Sequence, residues 1–334
     1  MPERTPATGP NAIRGRDIEP KSVSTEESFT DPGNRTHTRK LPLRDAIEVD
    51  IASGDSIQAA IDEAAAPDSR RSGSVRIQKG PITNDFLGDV SANDTLPITI
   101  EGGVTLSLSG VWLRETASSA GSVFDLKPNA TVYADGAMLS ESSGVGSWFR
   151  FNADLESIAS QDQTAVYGYP RVDTTNGTPI VEFRQTNGNS VVGGYAEVHA
   201  WNAGGVARFH SGGANGWANM NRVEVRGNVS AGEAFVFDYD DGVEVTLNVV
   251  NSHGLNFTGG DRIALFDNAD STTAGVRANV LRGTMFDVAS VTTPWEWTAN
   301  CDSNNKVIRR WPTVAAGIND SGDETNEAVA DMTI

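Results

Sequence analysis

Short segments in which apolar and polar residues alternate make up most of the chain, and turns rich in Gly, Asn and Asp separate them. Ile47, Val49 and Ile51 follow this pattern, and Val75 and Ile77 repeat it after residue 73. Alternation with a period of two is typical of a strand with one buried face. The pattern therefore predicts a protein built mainly from short strands.

The segment between these two strands, SGDSIQAAIDEAA (53–65), is the one clear helix that the sequence predicts. Its apolar residues have the i, i+3, i+4, i+7 spacing of a helix face: Ile57, Ala60, Ile61 and Ala64. We expect a helix over 55–66, with Asp55 capping the first turn and Gln58 reaching back to it. Pro67 follows and ends the helix.

Four segments in the middle of the chain align with one another, and each has a strand, a turn, a second alternating strand and another turn. They are residues 179–202, 205–228, 234–254 and 262–283. Phe183, Phe209 and Phe235 lie 26 residues apart. Val198 lies 27 residues before Val225. A strand-based repeat of this length predicts a solenoid of β coils, stacked as parallel sheets. The alternative is an antiparallel sandwich or barrel, which would need hairpins with two-residue turns.

A stack of coils has an open end that exposes unpaired backbone groups, and the 55–66 helix is suited to cover it. DSIQAAIDEAA, followed by SVRIQKG and LPITIEGGVTLSLSG, resembles the entry to the pectate-lyase-like right-handed β-helix superfamily, in the version carried by viral tailspikes and fibres. The resemblance covers residues 47–290. It implies an all-β fold, a right-handed parallel β-helix with a short N-terminal capping helix. It implies little about activity, because this fold carries lyases, hydrolases and binding proteins.

The sequence divides into an N-terminal arm (1–46), the β-helix (47–290) and a C-terminal segment (291–334). The arm is rich in Pro, Thr, Ser, Arg and Glu, and it has too few large apolar residues to fold alone. The last segment is rich in Trp and ends in an acidic tail. Trp295, Trp297 and Trp311 would leave an apolar patch on a monomer, so we expect them to join subunits of a homotrimer.

The chain carries 44 acidic and 26 basic residues, a net charge of -18, and only five of the basic residues are Lys. This balance is typical of a protein from a halophile, with an ordinary acidic extracellular protein as the alternative. It excludes general binding to nucleic acid, because no basic stripe replaces phosphate counterions. Cys301 is the one cysteine, which excludes an internal disulfide.

No stretch of the sequence approaches the roughly 18 apolar residues of a membrane span. The first twenty residues also lack the apolar region of a secretory signal. We therefore expect a protein that leaves the cell within a particle assembled in the host cytoplasm. No Cys/His metal spacing, phosphate-binding loop or nucleophile elbow is present in the sequence, so no metal or cofactor is predicted.

The carboxylates of DYDDG, Asp238, Asp240 and Asp241, are the candidate catalytic residues if the chain is an enzyme. With His253 and Arg262, they resemble elements of polygalacturonase-type β-helix hydrolases in order but not in spacing. His253 follows Asp241 by 12 residues, which is half a coil, so it is expected on a different side. Asp-Asp-Gly is also an ordinary turn, and outward charges on stacked coils usually form solvated ladders.

Two tryptophans are candidates for binding sugar rings. Trp201 is expected to point outward from its strand, beside His199 and Glu197, and Trp217 lies in a Gly/Asn-rich loop. Flat aromatic faces with polar neighbours suit glycans. The alternative is that these rings contact a neighbouring subunit.

These features favour a virion structural protein of a tailed virus that infects a halophilic archaeon. It would be a spike, fibre or capsid-surface turret at the virion surface. The arm would bind capsid or tail proteins, and the coils would contact a host-surface glycan or glycoprotein. The alternatives are a polysaccharide-degrading glycoside hydrolase or lyase on the same fold and a non-viral surface protein of a halophile.

Overall fold

The chain folds as a parallel β-helix, consistent with the right-handed form that the sequence predicts. The computed structural model describes residues 24–30, 36–42, 46–66, 73–78, 88–117, 121–141, 146–152, 164–174, 178–186, 189–213, 216–240, 244–268, 275–286, 291, 293–298, 301, 305–310, 318–320 and 327–331. Within these residues, three parallel sheets run along the stack, and each coil contributes strands to them in turn.

Sheet 1 has fifteen strands among the described residues. They are β3 (Ile47–Val49), β4 (Ser74–Ile77), β5 (Gly88–Asp89), β7 (Thr105–Ser107), β8 (Trp112–Glu115), β10 (Thr131–Tyr133), β11 (Met138–Glu141), β13 (Ala165–Tyr167), β14 (Arg171–Asp173), β17 (Tyr195–Ala203), β20 (Arg222–Val229), β23 (Val249–Phe257), β26 (Val280–Phe286), β28 (Lys306–Arg310) and β30 (Glu327–Asp331). The early coils of this sheet have two short strands where the later coils have one long strand, so its outer face bends along the middle.

Sheets 2 and 3 complete the coils. Sheet 2 contains β6 (Ile98–Ile100), β9 (Ser122–Leu126), β12 (Ser147–Asn152), β15 (Val181–Gln185), β18 (Ala207–Ser211), β21 (Glu233–Tyr239), β24 (Arg262–Asn268), β27 (Trp295–Trp297) and β29 (Ile318–Asp320). Sheet 3 contains β16 (Val191–Val192), β19 (Trp217–Asn219), β22 (Glu244–Thr246) and β25 (Val276–Arg277). In the arm, β1 (Ser24–Thr30) and β2 (Thr36–Pro42) form an antiparallel hairpin.

The parallel pairing continues past residue 290, where the sequence placed the end of the β-helix. β27 pairs with β24, and β28 pairs with β26. β29 and β30 then extend sheets 2 and 1 as far as Asp331. That boundary was therefore wrong, because the strands after it are short and unequally spaced in the sequence, which hides the repeat.

The helix α1 (Ile57–Ala65) packs against β3, β4 and β6, the first strands of sheets 1 and 2. It buries the four residues of the predicted apolar stripe. Ser56 is its N-cap, not Asp55, and the Ser56 hydroxyl accepts from Ala59 N at 3.0 Å. The carboxylate of Asp94 accepts from two more first-turn N–H groups. The predicted capping box is absent because Gln58 instead bonds the backbone of Thr99.

A column of stacked rings runs through the interior beneath sheet 2. It contains Phe151, Phe183, Phe209, Phe237, Phe266 and Trp297, with successive ring centroids 4.5, 5.0, 4.8, 4.7 and 5.4 Å apart. Phe209 therefore pairs with Phe237, not with Phe235 as the 26-residue spacing predicted. Val198 does pair with Val225, as predicted.

Trp295 and Trp297 belong to this core, since each is 1% exposed. The prediction that both join subunits is therefore wrong, because the coils continue far enough to bury them within one chain. Trp311, the third tryptophan of that prediction, lies outside the described residues.

A second column consists of four fully buried asparagines at the turn from sheet 3 into sheet 1: Asn221, Asn248, Asn279 and Asn305. The backbone N–H of each of the first three donates to the side-chain oxygen of the next, at 3.0 to 3.1 Å. Each side-chain amide also donates to a backbone carbonyl of the preceding coil. This asparagine column satisfies backbone groups that the turn leaves without sheet partners.

Candidate functional site

Three tyrosines form an aromatic row on the outer face of sheet 1. Tyr133 on β10, Tyr167 on β13 and Tyr195 on β17 come from successive coils, and both neighbouring ring pairs have centroids 5.5 Å apart. Tyr133 is 49% exposed and Tyr167 is 36% exposed. The rings stack along the row, so their edges form one line on the surface, where a ligand can reach them.

The aromatic row continues into an open cavity of about 570 Å³ at the start of the stack. Glu48, Arg76 and Ser107 line it, and they occupy successive register positions that lead to Tyr133. Their side chains are polar, so the cavity offers hydrogen-bonding groups beside the first tyrosine ring. The row and the cavity together form an elongated polar and aromatic surface.

The bend in sheet 1 brings a further aromatic ring to this face. Gly168 and Tyr169 both have positive φ, 99° and 49°. A Cβ at Gly168 would lie 2.5 Å from Asp135 N, so the close approach of the coils requires glycine there. The guanidinium of Arg226 lies over the Tyr169 ring, 4.6 Å from its centroid.

Two glutamates stack in register beside the tyrosines, Glu197 on β17 and Glu224 on β20. Glu197 accepts hydrogen bonds from the Tyr195 hydroxyl at 2.9 Å and from Gly168 N at 2.7 Å. Glu224 accepts from Asn251 Nδ2 at 2.7 Å and contacts the side chains of Arg222 and His253. Both carboxylates are therefore occupied within the protein.

Glu224 and two neighbouring tyrosines have shifted pKa values. Burial acts to raise the pKa of Glu224, but hydrogen bonds from Asn251, His253 and Arg222 outweigh it, so its pKa is lowered. Burial, and then the hydrogen bond to Glu197, raises the pKa of Tyr195. Burial, and then the charges of Glu197 and Glu224, raises the pKa of Tyr169. Both tyrosines keep their phenolic protons at neutral pH and remain hydrogen-bond donors.

A second row crosses the same face beyond the two glutamates, four residues or about 13 Å from Tyr195 along β17, and we call it the basic row. It consists of Arg171 on β14, His199 on β17 and Arg226 on β20, which pair in register. The Arg171 guanidinium lies 3.8 Å from the ring centroid of Trp201, which is 39% exposed. Burial, and then the charges of Arg226 and Arg171, lowers the pKa of His199.

Of the four predicted glycan-binding residues, the structure brings together Glu197, His199 and Trp201, all on the outer side of β17. Trp217 is exposed too, but it lies on β19 in sheet 3, opposite Glu244. The sequence analysis missed the tyrosine row and Arg171. A signal was present in the aromatic residues of TVY, AVYGY and GGY, although they are 34 and 28 residues apart and show no fixed period.

The predicted catalytic carboxylates lie on sheet 2, on the other side of the coil. Arg208 forms a bidentate pair with Asp238, and His210 Nδ1 lies 2.9 Å from Asp238 Oδ2. Burial acts to raise the pKa of Asp238, but hydrogen bonds from His210 and Arg208 outweigh it, so its pKa is lowered. Asp240 is exposed at the end of the strand, and Asp241 lies outside the described residues.

The hydrolase-like elements do not converge on one site. His253 lies on sheet 1, bound to Glu224, whereas Asp238 and Arg262 lie on sheet 2, and Arg262 bridges Glu233 and Glu296. The ion pairs of sheet 2 are not a fully solvated ladder either. Asp125, Arg150 and Glu182, which are joined by ion pairs, are all less than one-tenth exposed.

Within the described part of the chain, no three or more His, Cys, Asp or Glu side chains are grouped so as to hold a metal ion. No helix of that part has the length and apolar composition needed to cross a membrane. Comparisons of the chain with protein-family models, curated proteins and solved structures give no match.

Proposed function

We propose that this chain is a virion structural protein whose β-helix projects from the particle and binds host-surface glycans through the outer face of sheet 1. The observation that carries the glycan-binding part is the row of three tyrosine rings, two of them well exposed, on the same face as Trp201, which lies about 20 Å farther along β17. Sugar rings have apolar faces that pack on flat aromatic side chains, and neighbouring polar groups then select their hydroxyls.

The aromatic row is preorganised for such a ligand. The rings of Tyr133, Tyr167 and Tyr195 are supported by one another, and Tyr195 is also fixed through its hydroxyl by Glu197. Side chains that are already ordered lose little conformational entropy on binding, so more of the contact energy contributes to affinity. A stack of parallel coils is also a rigid frame, which suits an attachment rod.

The virion role has separate support. The sequence resembles the entry of tailspike β-helices, and the net charge of -18 fits a halophilic host. The arm, residues 1–46, contains a hairpin and supplies a segment for binding capsid or tail proteins. We retain the homotrimer as part of this proposal, since parallel rods assemble naturally around a threefold axis, without a role for Trp295 and Trp297.

A polysaccharide-degrading enzyme on the same fold has less support. A glycosidase needs one carboxylic acid with a raised pKa and a second carboxyl within about 9.5 Å. The pKa of Asp238 is lowered instead. The pKa of Asp173 is raised by burial, but Asp173 lies at the register position of Trp201. Glu197, on the same face, is four residues from that position, or about 13 Å along a strand. This distance exceeds the separation that a glycosidase pair needs.

The glycan-binding part is tested by screening the purified chain in KCl solution against an array of surface polysaccharides from archaea and bacteria. Replacing Tyr167 by Ala removes the central ring of the row and is expected to weaken binding about tenfold, from the loss of about 1.5 kcal/mol of stacking. Trp217→Ala is the matched control, an exposed aromatic residue on another sheet. Equal affinity of Tyr167→Ala and wild type would exclude the tyrosine row as the binding surface.

The virion and enzyme parts need separate measurements. Deletion of residues 1–46 is expected to leave the coils folded and to prevent incorporation into particles. Release of reducing sugars from a bound polysaccharide by the wild type, lost in the Asp238→Asn variant, would replace our proposal with the enzyme.

A further inference from the structure

The basic row places three basic side chains side by side on the outer face of sheet 1. Arg171, His199 and Arg226 occupy adjacent register positions, where like charges repel. Among the described residues, no carboxylate forms an ion pair with Arg171 or Arg226, and Arg171 Nε is buried without a hydrogen-bond partner. By contrast, Arg150 and Arg208 on sheet 2 each pair with a carboxylate.

The nearest acidic groups do not form ion pairs with the basic row. Glu197 is bound by Tyr195 and Gly168, and Glu224 is bound by Arg222, Asn251 and His253. The chain has a net charge of -18 and 44 acidic residues. Within the described part, none of their carboxylates forms an ion pair with these guanidinium groups. Glu197 and Asp173, each two residues along a strand from a member of the row, reduce its net charge but leave both guanidinium groups without a paired carboxylate.

The two guanidinium groups are also oriented by aromatic rings. Arg171 lies over Trp201 and Arg226 lies over Tyr169. A guanidinium stacked on a ring is fixed in plane and still presents N–H donors along its edge. Such an edge matches the geometry of a carboxylate or sulfate group, which accepts two parallel hydrogen bonds. Burial first, and then the charges of Arg226 and Arg171, lowers the pKa of His199.

We propose that the basic row binds an anionic substituent, a carboxylate or a sulfate group, of a glycan whose rings stack on the neighbouring aromatic side chains. This inference rests on the proposed glycan-binding function and specifies its ligand class, an acidic polysaccharide. The aromatic row would hold the sugar rings, and the basic row would select for their charge.

The test uses two matched pairs of probes: polygalacturonate oligomers with their methyl esters, and dextran sulfate with dextran. Affinities are measured by titration calorimetry at one fixed KCl concentration. The anionic member of a pair is expected to bind at least tenfold more tightly than its neutral partner. Arg171→Gln and Arg226→Gln are each expected to lower this affinity ratio about tenfold, because one charge-assisted hydrogen bond usually has an effect of that size.

Arg262→Gln is the control, because Arg262 lies on sheet 2 and pairs with Glu233 and Glu296. It is expected to change the affinities less than twofold. Arg171→Gln should not lower the melting temperature, since it relieves like-charge repulsion. This separates loss of binding from loss of folding. The probe pair whose preference for the anionic member falls in the arginine variants identifies the anionic group as a carboxylate or a sulfate.

Equal affinity for charged and neutral probes, or a preference that both variants retain, would overturn this inference and leave glycan binding intact. Failure of all four probes to bind would overturn it as well. Glycan binding itself is decided by the polysaccharide array and the Tyr167→Ala variant, so the two failures are distinguishable.

Discussion

Asn248, in the asparagine column, is where the structure allows the most detailed prediction of stability. Its side-chain oxygen accepts from Asn221 N and from Asn221 Nδ2, both at 3.0 Å. Its amide donates to Ala218 O at 2.7 Å and to Asn279 Oδ1 at 3.0 Å. Asn248→Ala removes all four hydrogen bonds in a region that excludes water, because Asn248 and Asn221 are fully buried.

Asn221 N loses its partner in this variant, and Ala218 O loses the hydrogen bond from Asn248. The Asn221 and Asn279 side chains keep other partners, Val191 O and Asn248 N. A buried polar group without a partner costs about 1–3 kcal/mol, so the free energy of unfolding is expected to fall by at least that much. Denaturant titration in KCl measures the loss, and hydrogen exchange at residue 221 gives a local measure of the freed N–H.

Asn228→Ala is the matched control. Asn228 is also bonded to an asparagine of the adjacent coil, Asn202, but this pair is exposed. Water replaces the lost hydrogen bonds there, and the expected loss is below about 1 kcal/mol. The reasoning fails if the two variants lose the same stability, or if the amide of residue 221 remains protected in Asn248→Ala.

Two further predictions concern charge. Lowering KCl from molar to low concentration increases repulsion within a chain of net charge -18, so the melting temperature should fall, and an unchanged value would remove the halophile interpretation. Asp238→Asn breaks a partly buried ion pair, in which the Arg208 side chain is 40% exposed, and should cost about 1.5 kcal/mol at pH 7. Because the folded pKa of Asp238 is lowered, its contribution is present above its unfolded pKa of about 3.9 and is lost as the pH falls through the folded value. The stability gap between variant and wild type should therefore close in acid, and a constant gap would contradict this assignment.

The strand content and the coil architecture could be predicted because they depend on local patterns. Alternation determines which side chains face inward, and the pairing of Val198 with Val225 followed from the repeat. The register of Phe209 was missed because Phe235 and Phe237 both face the interior of the coil, and only the length of the preceding turn decides between them. Spacing alone does not contain that length.

The burial of Trp295 and Trp297 was missed for a related reason. A cluster of aromatic residues after the last clear repeat resembles an exposed patch as long as the coils are assumed to end there. In the structure, Trp297 stacks on Phe266 at 5.4 Å and continues the interior column. Whether such a residue lies in the core or at an interface depends on whether one more coil follows it. The strands of that coil are short and unequally spaced, which conceals them in the sequence.

The binding face was predicted only in part, through Glu197, His199 and Trp201, because these residues share one strand. Their partners come from other coils, and loops of unequal length separate them in the sequence. Stacking then places one residue from each coil about 4.8 Å from the next, so isolated Tyr and Arg residues become continuous rows. On sheet 2 the same geometry aligns Arg150 and Arg208 with carboxylates, which neutralises the charges internally. On sheet 1 it aligns aromatic rings with the guanidinium groups of Arg171 and Arg226, which form no ion pair among the described residues, and this arrangement is the physical reason to propose ligand binding on that sheet.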